Sequence, residues 1–201
     1  VRLDQGGAED RAAGVAGLDS SDGALRRGEQ DPVQAVVETP GGSRNKFKWD
    51  EEAGVFRLHK ILPMGSAFPF DFGFIPGTMA EDGDPIDVLV VGEEPTFTGC
   101  VVGVRLIGVL EARQTERGTS KSIRNDRLIG TPEGEKIRPA VRSIDDLPAR
   151  TLDQIEHFFV SYNRYEGRTF RILGRRGPRA ARGLLEEARR KCVQGRAGEK
   201  G

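Results

Sequence analysis

Cysteine is scarce: the 201 residues hold two, Cys100 and Cys192, far apart and in no C-x-x-C or Cys/His cluster. That excludes a disulfide framework and a cysteine-based zinc site, and leaves a reducing cytoplasm as the default compartment. Long apolar runs are missing as well. None approaches the roughly 18–20 residues needed to cross a bilayer, so no membrane partner is expected. The opening VRLDQGGAEDRAAG lacks the apolar stretch of a secretory signal. There is no surplus of either charge, since 31 Lys+Arg balance 31 Asp+Glu. Net charge therefore points to neither nucleic acid nor membrane. The balance is uneven along the chain: from Arg164 onward there are 12 bases against 4 acids, whereas residues 1–31 carry 7 acids against 4 bases.

With 36% hydrophobic and 31% charged residues, the chain suits one soluble globular domain with polar ends. Residues 1–31 are rich in Gly, Ala, Asp and Arg without sustained periodicity, and are expected to form a disordered extension with no assigned function. Residues 32–192 are the expected domain, and 193–201 a disordered basic tail. Residues 34–38, 46–50 and 55–58 read as strands, the last two joined by a turn at 51–54. The segment AFPFDFGFI (67–75) is apolar but broken by Pro and Gly, as in a buried irregular stretch. Residues 86–91 and 100–110 are β-branched core strands, the polar residues 111–126 separate them from a short strand at 127–130, and two helices follow. In 152–162, Leu152, Ile155, Phe158, Phe159 and Tyr162 recur at helical spacing; 179–192 has Ala180, Leu184, Leu185 and Ala188 on one side. Strands followed by helices predict an α+β domain with the strands closing into a small barrel.

The densest chemistry lies in Glu81-Asp82-Gly83-Asp84-Pro85-Ile86-Asp87, directly before an apolar strand. Packed carboxylates repel one another and raise their own pKa values, and a hard divalent cation such as Mg²⁺, which prefers oxygen ligands, removes that penalty. An exposed acidic turn is the plain alternative, because Asp-Gly and Asp-Pro are ordinary turn chemistry. An EF-hand loop fits badly: its fifth and sixth positions would be Ile86 and Asp87, and an apolar strand would run through its middle.

The run Asp82-Gly83-Asp84-Pro85-Ile86-Asp87 resembles the D-G-D-P-x-D signature of the soluble (family I) inorganic pyrophosphatases. Other landmarks stand in the same order over about three quarters of the chain. They are Val36-Val37-Glu38-Thr39-Pro40, Lys46-Phe47-Lys48, Phe68-Pro69-Phe70-Asp71-Phe72-Gly73-Phe74-Ile75, Gly108-Val109-Leu110, and His157-Phe158-Phe159 with Tyr162. The resemblance implies an OB-like five-stranded closed barrel flanked by two C-terminal helices, and Mg²⁺-dependent hydrolysis of pyrophosphate to two phosphates. It implies Asp82 and Asp87 as direct metal ligands, Asp84 as the group that holds or deprotonates the attacking water, and Glu38 acting mainly through metal-bound water. It also implies Lys46, Lys60, Arg127 and Tyr162 as phosphate contacts, and a homo-oligomer. Lys60 stands where the family usually has arginine, losing bidentate geometry. Read without the resemblance, Lys46 and Lys60 are solvated strand residues and Tyr162 a helix residue with a buried ring.

The departures are pointed. Phe72 replaces a tyrosine whose hydroxyl contacts phosphate, and Asn163 stands where lysine is expected. Two further metal-binding aspartates of the family are not reproduced. The first falls on Gln114, with Glu116 the nearest acid. An ungapped alignment puts the second at Thr119, with Lys121 as a phosphate lysine. An insertion puts it at Asn125, with Arg127 at the lysine, and is preferred because it recovers the apolar strand and Pro132. Asp126 then points to the opposite face. These changes leave open a phosphohydrolase with a shifted substrate, or a silent phosphate- or partner-binding protein. A nucleic-acid role for the basic C-terminal segment is disfavoured, with Tyr165 the sole candidate for base stacking, so no nucleic-acid partner is expected.

Overall fold

The computed structural model describes residues 32–115, 118–119, 121–133 and 141–198. The expected extension 1–31, Glu116 and residues 199–201 lie outside the described residues. The elements run β1 (Val33–Thr39), β2 (Asn45–Asp50), β3 (Val55–Ile61), β4 (Asp71–Phe74), β5 (Asp87–Val90), β6 (Val101–Thr115), β7 (Ser122–Arg124) and β8 (Arg127–Pro132). A 3₁₀ turn (Ile144–Asp146), α1 (Ala149–Tyr165), β9 (Thr169–Arg176) and α2 (Pro178–Gly198) complete them.

Strand β1 pairs antiparallel with β4, β4 with β5, and β5 runs parallel to β8. β8 pairs antiparallel with β6, which returns to β1, so five strands close a hydrogen-bonded ring. The far half of β6 leaves the ring and pairs with β7 and β9, and β2 with β3 forms a separate hairpin. The ring strands carry continuous apolar runs because both of their faces are covered. Along β5, Val88 and Val90 pack on one side with Leu128, Ala181, Leu185 and Ala188, under α2. Leu89 packs on the other with Phe68, Ile129, Ile155 and Phe159, under α1. Each Val, Leu, Ile or Phe among them contributes about 1.5–3 kcal/mol on burial. Tight approach needs glycine at Gly73, where a Cβ would stand 1.9 Å from the Val36 carbonyl oxygen.

Several boundaries differ from the sequence expectation. The segment 67–75 contains a true strand, β4, whose hydrogen bonds to β1 and β5 tolerate the flanking Pro69. β6 continues five residues beyond Leu110 because Ala112 and Gln114 keep the alternate buried face against β9. β7 and β9 were not expected at all. The second helix was expected to end at Cys192 but continues to Gly198, so residues 193–198 are helix rather than tail. Docking of the neighbouring loop explains the extension: Met79 N–H donates to the Ala188 carbonyl at 2.9 Å, and its Cε would lie 3.2 Å from a Cβ at Gly195.

Candidate active site

Glu38 owes its position to an irregularity in β1. Val37 pairs with Gly73 and Thr39 with Phe72, so Glu38 is an extra residue between them. Such a bulge re-aims a side chain. Glu38 is buried at 7% exposure, and its Oε1 accepts the Trp49 backbone N–H at 2.8 Å. Loss of solvation pushes its carboxyl up to about 7, aided by the charge of Asp87 and opposed by Trp49 N–H, Lys46 and Lys48.

The acidic loop stands on the turn before β5. Gly83 adopts φ +88°, a left-handed conformation that side chains resist, and so folds Asp82 back until its Oδ1 accepts the Asp84 backbone N–H at 3.2 Å. Asp82 and Asp84 reach solvent, whereas Asp87, at the start of β5, is half-buried. Desolvation, followed by the neighbouring Asp87 charge, raises the Asp82 carboxyl above its ordinary value.

Bases face these acids. Lys48 Nζ lies 3.0 Å from Asp84 Oδ2, an ion pair that raises the lysine despite partial burial. Arg127 Nη1 lies 2.5 Å from Asp87 Oδ2. Lys46 and Lys60 are cross-strand partners on the β2–β3 hairpin. Like charges directly opposite are unfavourable, and the structure offsets them: Lys60 pairs with Glu166, just past α1, while Lys46 donates to the Tyr162 hydroxyl at 3.2 Å. Burial lowers Lys46 from the ordinary lysine value, against the pull of Asp87 and Glu38. The ammonium groups stand 5.4 Å and 5.6 Å from the Tyr162 ring centre, and Lys46 is also 5.4 Å from that of Phe72. Burial raises the Tyr162 hydroxyl, keeping it a proton donor.

The third side is neutral. Asn125 Nδ2 donates to Gln114 Oε1 at 3.0 Å, and Arg127 Nη1 donates to Asn125 Oδ1. Gln114, Asn125 and Arg127 are all buried. Asp126 is on the other face: its Oδ1 accepts the Ala112 N–H and its Oδ2 the Arg124 guanidinium, both at 2.8 Å. It lines a cavity of about 390 Å³ beside α2 together with Met79, Arg113 and Leu184, away from the facing acids and bases. Asn163 is likewise not in the site. One position beyond Tyr162 it has turned into the core, where its Nδ2 donates to the Phe159 carbonyl at 2.9 Å.

Two participants were not assigned from sequence. Lys48 could have been found from strand periodicity, since residues two apart share a face and Lys46 was already placed there. Glu166 gave no local signal, because its pairing with Lys60 exists only in the folded chain.

The fit to Mg²⁺ differs between the two sides. Asp82, Asp84, Asp87 and Glu38 are hard oxygen donors whose crowding a divalent cation relieves. Among the described residues, no three His, Cys, Asp or Glu side chains are already gathered closely enough to hold a metal. The reason is visible: Lys48 and Arg127 draw Asp84 and Asp87 to different partners. The Gln114–Asn125 side offers two uncharged amides beside a guanidinium and does not fit a divalent ion.

Acids and bases facing each other beside a five-strand ring define an α+β protein suited to phosphate anions and their counter-ions. Comparison with known proteins narrows this. The family profile "Inorganic pyrophosphatase" matches residues 35–192. The chain is 39% identical to the inorganic pyrophosphatase of Geobacillus stearothermophilus over 155 residues, covering 77% of this chain and 90% of that one. It is 37% identical to that of Synechocystis over 162 residues, covering 81% and 90%. The crystal structure of inorganic pyrophosphatase from Thermus thermophilus superposes with a TM-score of 0.75 at 32% identity, covering 84% of this chain and 97% of that one. This chain belongs to the family of soluble (family I) inorganic pyrophosphatases.

Proposed function

We propose that this protein hydrolyses inorganic pyrophosphate to two phosphates with Mg²⁺, in the cytoplasm. The observation that carries the reading is the convergence of Glu38, Lys46, Asp84, Asp87, Arg127 and Tyr162, from distant parts of the chain, into one linked set of acids and bases. The catalytic domain spans residues 32–192, its five-strand ring being the OB-like barrel of the family. Assembly into a homo-oligomer is part of the same proposal.

Asp82, Asp84, Asp87 and Glu38 would hold Mg²⁺. When bound, Mg²⁺ supplies Lewis-acid activation of the attacking water and neutralises charge on the phosphates. With Oδ2 held by Lys48, Asp84 positions the water and takes its proton at Oδ1. The water oxygen forms the new P–O bond as the bridging P–O bond breaks, and the electron pair leaves with the departing phosphate. Lys46, Lys60 and Arg127 bind the phosphate oxygens, Tyr162 donates its hydroxyl to one of them, and the Phe72 ring excludes water beneath Lys46 and Arg127. Little covalent work falls to the protein, so orientation and electrostatics dominate.

The test is phosphate release from pyrophosphate with Mg²⁺, beside Asp84→Asn. Release that the variant lacks supports the assignment. Absence of release by the parent protein refutes it, and full activity of Asp84→Asn refutes the role of Asp84.

A further inference from the structure

We propose that Arg127 is a built-in cation that takes the place of a metal ion on the Gln114–Asn125 side of the site. The chain would then bind one divalent ion fewer than it would with carboxylates at 114 and 125. The inference rests on the reading of the acidic loop as the place where Mg²⁺ binds, and concerns the side where no such ion fits.

The geometry is a single chain of contacts. Asp87 Oδ2 meets Arg127 Nη1 at 2.5 Å, Arg127 donates to Asn125 Oδ1, and Asn125 donates to Gln114 Oε1 at 3.0 Å. It holds one negative and one positive formal charge. A dication added there would meet one carboxylate already engaged, two neutral amides and a like charge. The groups are also deep: Gln114, Asn125 and Arg127 are 5%, 6% and 7% exposed. In such surroundings repulsion between like charges is screened far less than in water.

The walls agree with a guanidinium and not with a hydrated ion. The centre of the Arg127 guanidinium lies 6.0, 5.7 and 5.6 Å from the ring centres of Phe72, Phe159 and Phe170. Aromatic faces attract this flat, weakly hydrated cation. They offer nothing to the waters that Mg²⁺ usually retains. Enclosure is tight enough that Arg127 Nε finds no hydrogen-bond partner. Phe72, Gln114 and Asn125 thus form one contact cluster with Arg127 at its centre. The consequence is a cation that does not dissociate: the Arg127 guanidinium stays in place at any Mg²⁺ concentration.

The experiment counts bound metal, using Mn²⁺ as a paramagnetic substitute for Mg²⁺, by electron paramagnetic resonance with equilibrium dialysis. Wild type is compared with Asn125→Asp and with Gln114→Asp/Asn125→Asp, and circular dichroism melts establish that each is folded. Asn125→Asp preserves volume, so it remains testable if the double variant does not fold. The double variant should bind one more Mn²⁺ per chain than wild type. The single variant should hold that added ion at least about tenfold more tightly than wild type does, the scale on which one change around a metal moves affinity. Equal counts and affinities in wild type and Asn125→Asp would overturn the inference while leaving the acidic loop as a metal site. If no variant and no wild type bound Mn²⁺, the metal reading of the loop itself would fall, and the inference with it.

Discussion

The two sides of the site answer the same electrostatic problem differently. On the loop side, Asp82 and Asp84 stand on an exposed turn, Asp84 paired through Oδ2 with the equally exposed Lys48, so carboxylate oxygens remain available to something from outside. On the strand side, Gln114, Asn125 and Arg127 are buried and hydrogen-bonded in a chain to one another. Exposed groups on a turn can be changed at little cost in stability, whereas a buried polar chain is costly once any member is removed. The loop side should therefore be sensitive in function and the strand side in folding.

The largest expected effect is on turnover at the loop. Asp84→Asn should lower kcat by about 10²–10⁴-fold, the usual range for a lost general base, without changing the melting temperature. A melting shift as large as the kinetic loss would break the comparison. Next comes the pH dependence of stability in the metal-free protein. Burial keeps Glu38 protonated to about 7, against an ordinary value near 4.5, so between those values the folded state retains a proton that the unfolded chain has released. Stability must then fall as pH rises across this window, by about 3 kcal/mol at 1.36 kcal/mol per pKa unit, and level off above it. Glu38→Gln, which keeps the acceptor for Trp49 N–H, should flatten the curve; an unchanged slope in urea titrations at several pH values would refute the assignment.

On the strand side, Gln114→Ala removes the acceptor for Asn125 Nδ2 and should cost about 1–3 kcal/mol in urea unfolding. Asp82→Ala, which relieves repulsion from Asp87, should cost nothing or stabilise slightly. A small kinetic effect is expected at the hairpin. Glu166→Gln releases Lys60 for phosphate, and since a partly exposed pair contributes about 0.2–1 kcal/mol, KM should fall by less than about fivefold with kcat unchanged. A rise in KM would show that Glu166 positions Lys60 instead of competing for it.

Much of this was legible in the sequence where one residue type has one physical use. The β-branched run at 86–91 read as a core strand, and β5 lies within it, covered on both faces. Placing Asp126 on the far face followed from strand alternation. Other parts were hidden because tertiary contact decides them. β9 buries Phe170 but carries Arg171, Arg175 and Arg176, and becomes a strand only because β6 extends to meet it. The extra residue at Glu38 leaves no trace in composition, since the strand around it reads as regular. Asn163, next to Tyr162 in the sequence, is a core residue instead of a site residue, because one step along a helix turns a side chain by about 100°.

The long strand β6 has a consequence for how the protein comes into being. Its successive stretches pair with β1, β8, β9 and β7, segments on both sides of it in the chain. Pairings this distant in sequence are slow to form, because the intervening loop must be ordered before they reward it. As the chain is synthesised, β1 waits for residues 101–104 before it can pair with β6, and the ring waits for β8. Tyr162 and Glu166 follow later still. The first half of the nascent chain therefore carries unpaired strand edges, the condition under which a growing polypeptide is most exposed to aggregation, while the acids at 82–87 are already synthesised and keep that stretch charged.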